Sequence, residues 1–264
     1  MTQINRILEV LQSGQANPLL ASMYGNKPTV IKRQIERYTR AIQEFEHLFP
    51  DQQNVQLFSS PGRTEVGGNH TDHNAGRILA AAVDLDIIAV VASSDSHAIH
   101  VKSEGYSTDH VSLDELIPLE NERYTSAALA RGVCSRLREL GYRVGGYDAY
   151  ATSTVPKGAG LSSSAAYEVL VAVIENELYN GSTINPVLLA QISQFSENRF
   201  FGKPCGLMDQ TTCAVGGFVT IDFKDFENPI VRKVEFDFAA SGFSMVIVDT
   251  GGNHADLNDD YTAL

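Results

Sequence analysis

The chain has 264 residues, 43% of them hydrophobic, which is ample for a sizeable core in one large domain. Its net charge of −12 and isoelectric point near 5.0 speak against nucleic-acid affinity by bulk electrostatics, so an anionic ligand needs local help. Cys134, Cys205 and Cys213 are an odd set without a CxxC pair, no apolar run is as long as a membrane span, and the first six residues do not open like a secretory signal; a reducing cytoplasm is the expectation.

Residues 4–13 form a short helical candidate, and Asn17-Pro18 and the Gly25-to-Pro28 stretch punctuate the connection to the next. Ile31, Ile35, Tyr38, Ile42, Phe45 and Leu48 recur at three- and four-residue spacing and predict an amphipathic helix over 29–48. Residues 55–60 read as a strand halted by Pro61-Gly62, after which residues 63–74 form a dense polar run. Residues 77–93 are almost continuously apolar and rich in β-branched residues, as buried strands are, and 98–103 add another strand. Residues 125–140 carry a helical face with Thr125 as N-cap and Gly141 as stop, and 147–153 resume an extended pattern.

That strand leads into a small-residue loop, residues 155–166, that runs straight into an amphipathic helix closed by Asn180-Gly181. Gly158 and Gly160 permit positive φ and close approach, and Ser162, Ser163 and Ser164 add hydroxyls beside amide N–H groups that have no intrahelical acceptor. Such a helix start suits a phosphate, although glycine and serine there also serve plain capping; the loop matches neither the P-loop nor the dinucleotide fingerprint. Asn185-Pro186 restarts a helix that carries Glu197 at the margin of its buried face, and three strands follow over 217–223, 230–236 and 243–249.

Arg63 with the Asn69-to-Asp72 cluster, the serine loop, Glu197, and residues 206–210 are the chemistry-bearing groups. Phosphoryl transfer from ATP uses such a set: an anion cradle, an oxygen ligand for Mg²⁺, a cation, and a carboxylate for the acceptor hydroxyl. Each residue also has a structural reading, with Arg63 as an ion-pair partner, Glu197 as a solvated helix residue, Asp209 as a helix cap and Cys205 as small-volume packing. His70-Thr71-Asp72-His73 lacks a distant third ligand and does not resemble a zinc helix.

On these residues the sequence resembles the galactokinases, within the superfamily of small-molecule kinases (GHMP kinases) that also phosphorylate homoserine and mevalonate. Pro61-Gly62-Arg63 through Asp72-His73-Asn74 resembles their sugar signature, residues 156–166 their phosphate loop, and residues 202–210 (GKPCGLMDQ) their third block. The resemblance implies an α+β fold: a ribosomal protein S5 domain 2-like lobe with a mixed sheet and helices on one side. That lobe would span 51–215, with a helical segment 1–50 packed on it and 216–264 starting a C-terminal domain that is truncated relative to the family. It implies ATP and Mg²⁺ as cofactors, a sugar 1-phosphate as product, and no nucleic-acid or membrane partner. Asp209 and Arg63 would be catalytic; Asn69, His70, Asp72, Gly206 and Tyr261 would bind the sugar. Gly158, Gly160, Leu161, Ser162, Ser163, Ser164 and Ala165 would hold the triphosphate, with Ser163 and Glu197 as metal ligands. Two departures stand out. Asn69 replaces the usual glutamate of the signature, which opens the sugar choice to amino-sugar or acidic galactose analogues. The sequence is also shorter than the family's members, so weak or no turnover is expected of residues 1–264. A non-catalytic sugar and ATP sensor is the alternative, against which the intact serine run speaks.

Overall fold

The computed structural model describes residues 2–156, 158–236, 241–243 and 245–248. Its elements are α1 (Gln3–Gln12), α2 (Asn17–Tyr24), α3 (Pro28–Leu48), β1 (Gln56–Gly67), β2 (Arg77–Ser94), β3 (Ala98–Ser103), β4 (Thr108–Ser112), α4 (Ser126–Glu139), β5 (Gly146–Ser153), α5 (Ser163–Asn180), α6 (Pro186–Ser196), α7 (Met208–Val215), β6 (Phe218–Asp222) and β7 (Ile230–Val234).

The 18-residue β2 is the spine of a seven-stranded mixed sheet of order β4-β3-β5-β2-β6-β7. β1 runs antiparallel along one side of β2, while β6 and then β5 share the other; β3 and β5 form the parallel pair. Ile87, Ala89 and Val91 of β2 face a core built with α4, α5 and α6, whereas Ile88, Val90 and Ala92 face a second core built with α1 and α3. Helices cover both faces of this strand, which is why its sequence is continuously apolar instead of alternating. The lobe's own helices α4–α6 keep to one side as expected, and the N-terminal segment covers the other.

That segment is fastened by one buried node. Arg37 gives one guanidinium nitrogen to Asp86 Oδ1 at 2.5 Å and the other to the carbonyls of Asp86 and Thr152 at 3.0 and 3.1 Å. The Tyr24 and Ser59 hydroxyls both donate to Asp86 Oδ2, so the carboxylate joins α2, α3, β1 and β2. Among the described residues no helix is long and apolar enough to cross a membrane.

The helices α3, α4, α5 and α6 fall within a residue or two of their sequence-predicted bounds, with Thr125 and Asn185 accepting from the N–H groups of Ala128 and Leu188 as N-caps. Four readings change. Residues 17–24 are helix, not turn, because Pro18 sits in the first turn where no N–H is needed. β1 does not halt at Pro61-Gly62 but continues to Gly67: its pairing is with β2 alone, so a proline is tolerated on its open edge, and the register slips between Pro61 and Arg63. β4, with only Val111 buried, was too short and polar to be seen in the pattern. The strand expected over 243–249 is not formed among the described residues 243 and 245–248, where Val246 and Val248 are exposed and have no ladder partner.

Candidate active site

The slip in β1 turns Arg63 inward, where it is 6% exposed. Its Nε donates to Asp209 Oδ1 at 2.6 Å, one terminal nitrogen donates to the Gly160 carbonyl at 2.5 Å, and its backbone N–H donates to the Leu161 carbonyl at 3.2 Å. Gly62 makes this apposition possible, since a Cβ there would stand 2.8 Å from the Leu161 oxygen. β1 and the serine loop thus touch backbone to backbone, and Arg63 ties both to α7.

Asp209 lies in the first turn of α7, a quarter of its side chain open, and does not cap its own helix. Its second oxygen accepts the Ser162 hydroxyl at 2.5 Å. Burial alone would raise this carboxyl; the Arg63 charge, the Arg63 hydrogen bond and the Ser162 hydroxyl outweigh it and hold Asp209 below the ordinary carboxylate value. The group is therefore ionised.

Ser162 is left-handed (φ 57) and spends its side chain on Asp209, so α5 starts without a side-chain cap. The first loop-to-helix bond is Ala166 N–H to the Ser162 carbonyl, which leaves the amides of residues 163–165 aimed out of the helix start. Gly158, Gly160 and Leu161 lead into this turn, the two glycines with φ 71.

Glu197 is not a solvated helix residue. α6 ends at Ser196, and a π-turn over Glu197–Phe201 carries the carboxylate inward to 2% exposure. Oε1 accepts the Ser164 hydroxyl at 2.9 Å with Lys203 Nζ at 3.7 Å, and Oε2 accepts the Gln210 amide at 2.8 Å. Burial raises this carboxyl, and Lys203 opposes the rise only in part. The serine in contact with Glu197 is Ser164, the next residue after Ser163. A desolvated carboxylate beside serine hydroxyls is a hard-oxygen donor set that fits Mg²⁺. Burial pushes the Cys205 thiol well above its ordinary value, which favours small-volume packing over a nucleophilic role.

On the far side of Arg63, the 3₁₀ turn Thr71–Asn74 buries Asp72, whose Oδ2 accepts the Met208 N–H at 3.2 Å. A Cβ on Gly206 would lie 1.8 Å from that oxygen, so only glycine fits against Asp72. Asn69 and His70 are both left-handed, at φ 57 and 51, and the His70 N–H is held by the Glu65 carboxylate at 3.0 and 3.1 Å. Asn69 is exposed and the His70 ring is half-exposed. Tyr261 lies outside the described residues. Among the described residues no three His, Cys, Asp or Glu side chains are gathered around a common metal position. Sequence reasoning missed Glu65, which closes the polar loop, and Glu168, whose signal was an acid within the run of α5 that is buried on every side.

Two family models match the chain: the GHMP kinases N terminal domain over residues 128–217 and the galactokinase galactose-binding signature over 43–93. The galactokinase of Streptomyces coelicolor is 36% identical over 210 residues, 78% of this chain and 53% of that protein. That of Clostridium tetani is 33% identical over 166 residues, 61% of this chain and 41% of that protein. Among solved structures, Lactococcus lactis galactokinase complexed with galactose superposes with a TM-score of 0.66 at 25% identity, over 74% of this chain and 51% of that one. The mevalonate kinase of Methanococcus jannaschii, at 17% identity and a TM-score of 0.55 over 71% of this chain and 58% of its own, shares the fold. The chain spans about half the length of the curated relatives it matches. With its galactokinase signature, its GHMP kinase N-terminal domain and its relatives all pointing one way, the chain belongs to the galactokinase branch of the GHMP kinases.

Proposed function

We propose that this protein takes part in transferring the γ-phosphoryl group of ATP to the C1 hydroxyl of galactose or a close galactose-like sugar, giving a sugar 1-phosphate and ADP. The observation that carries this reading is the clamp on Asp209: an ionised carboxylate held by Arg63 at 2.6 Å and by Ser162 at the uncapped start of α5. An acceptor hydroxyl beside Asp209 is oriented and can yield its proton to the free lone pairs of that carboxylate, while Arg63 offsets the charge that develops. The amides of residues 163–165 and the Ser163 hydroxyl then hold the transferred phosphate in line. Glu197 with Ser163 or Ser164 would hold Mg²⁺, which would supply positive charge against that of the phosphate.

Asp72, Gly206, His70 and Asn69 form the sugar side, and Tyr261 is assigned there by resemblance. We assign 51–215 to the catalytic lobe and 1–50 to its helical cover, and take the cytoplasm as the setting; of 216–264, read from the sequence as the start of a second domain, β6 instead pairs onto β2 and β7 onto β6 in the lobe's own sheet. Galactose is favoured by the signature over 43–93 and by the galactose-bound relative. Asn69 in place of an acid tolerates an N-acetylated or acidic analogue. The test is calorimetric binding of MgATP and of galactose, N-acetylgalactosamine and galacturonate, with coupled ADP release on the same panel. Asp209→Asn should lower ADP release by about 100-fold or more while sugar affinity changes much less. Equal release by the variant removes Asp209 from the chemistry, and sugar binding without any ADP release favours a sensor.

A further inference from the structure

Behind the serine loop, three side chains from three elements meet out of water: Glu168 of α5, Glu197 of the turn after α6, and Gln210 of α7, at 0%, 2% and 0% exposure. The Gln210 amide nitrogen donates to Glu197 Oε2 at 2.8 Å and to Glu168 Oε2 at 3.3 Å, with the Cys205 sulfur farther off at 3.5 Å. Its two hydrogens are thus used on two different carboxyl groups. Two atoms of the cluster have no partner, Glu168 Oε1 and Gln210 Oε1.

If Glu168 is ionised, both orphans are acceptors and neither can satisfy the other. A proton on Glu168 Oε1 makes it the one donor that Gln210 Oε1 lacks. Glu168 Oε2 goes on accepting from the amide, and the two groups close the cyclic pair of a carboxylic acid with a primary amide. The charged groups facing the cluster are Glu197, Asp209 and Lys203, two negative and one positive, so a third negative charge would go unopposed. Burial, and then the Glu197 charge, push the Glu168 carboxyl well above its ordinary value.

We propose that Glu168 and Gln210 form a neutral acid–amide pair whose task is to hold Gln210 as a positioning residue, its second amide hydrogen fixing the Glu197 carboxylate behind the phosphate loop. The pair ties the phosphate helix α5 to the helix that carries Asp209, through the residue next to Asp209. Only its last step, that Glu197 faces the triphosphate, rests on the proposed kinase reading.

The test compares wild type with Glu168→Gln, Glu168→Leu and Gln210→Leu by infrared spectroscopy at neutral pH and by calorimetric titration of MgATP and galactose. Wild type should show the carbonyl band of a buried protonated carboxyl that Glu168→Gln lacks. A glutamine can close the same cyclic pair, so Glu168→Gln should keep MgATP affinity within about threefold, whereas Glu168→Leu and Gln210→Leu should weaken it about tenfold or more and spare galactose. No band lost in Glu168→Gln, or Glu168→Gln as weak as Glu168→Leu, overturns the pair. The infrared comparison needs only the folded wild type and its closest variant, so it decides the pair even where a leucine variant fails to fold. A wild type that binds no nucleotide counts against the kinase reading, and the infrared band still decides the pair.

Discussion

Glu175 lies on α5 without exposed surface, accepting the Gly145 N–H at 3.1 Å and the Cys134 thiol at 3.6 Å. Burial pushes its carboxyl from the ordinary 4.5 up to about 8, against the opposing pull of those two bonds and of Arg138. Below pH 4.5 the folded and unfolded chains both carry the proton and there is no penalty. As pH rises toward 8 the unfolded chain releases the proton that the folded chain keeps, so stability falls by about 1.4 kcal/mol per pH unit. The loss levels off above pH 8 at about 5 kcal/mol. Glu175→Gln keeps the shape, accepts the Gly145 N–H through its amide oxygen and does not ionise. Urea unfolding of both proteins between about pH 5 and pH 9 should show the variant gaining on wild type steadily up to about pH 8 and then holding level. A difference that does not change with pH, or a wild type more stable than the variant at the alkaline end, refutes the buried-acid reasoning.

Two further substitutions probe the proposed sugar side. In Gly206→Ala the new Cβ would begin 1.8 Å from Asp72 Oδ2, where ordinary contact needs about 3.4 Å, so Asp72 must move and release the Met208 N–H. Galactose affinity measured by calorimetry should drop about tenfold or more with MgATP affinity nearly unchanged, and an unaltered galactose affinity would show that this apposition is not used for the sugar. Asn69→Glu restores the usual acid of the signature at a left-handed position that asparagine tolerates better, so it should destabilise the fold by about 1 kcal/mol in urea unfolding. The same variant should narrow binding toward galactose and away from galacturonate, which equal affinities for the two sugars would contradict.

How much of this was legible depended on whether a residue's role is local. Thr125 and Asn185 act within three residues of themselves, so their capping could be read directly, as could the helix over 28–48 with its repeating apolar face. Pro61 misled for the opposite reason. A proline forbids a ladder donor, but only the sheet topology shows that β1 has a free edge on which none is required. Likewise Glu197, read as marginal and open to water, is turned into the core by a π-turn whose extra residue leaves no periodic trace in composition.

The glycines make the same distinction at the site itself. Gly62 and Gly206 were visible as members of motifs, yet their reason is neither flexibility nor a turn, since each leaves room for one particular oxygen: that of Leu161 and that of Asp72. Those two contacts lie at opposite ends of the cluster. One seats the serine loop on β1, the other seats the polar turn on α7, and Arg63 and Asp209 lie between them. Motif spacing alone leaves these blocks separate, with Arg63 and Asp209 146 residues apart along the chain. Their meeting is fixed by a register slip in β1 and two missing side chains, so adding a methyl group at either glycine should disturb the site more than removing many of the polar side chains around it.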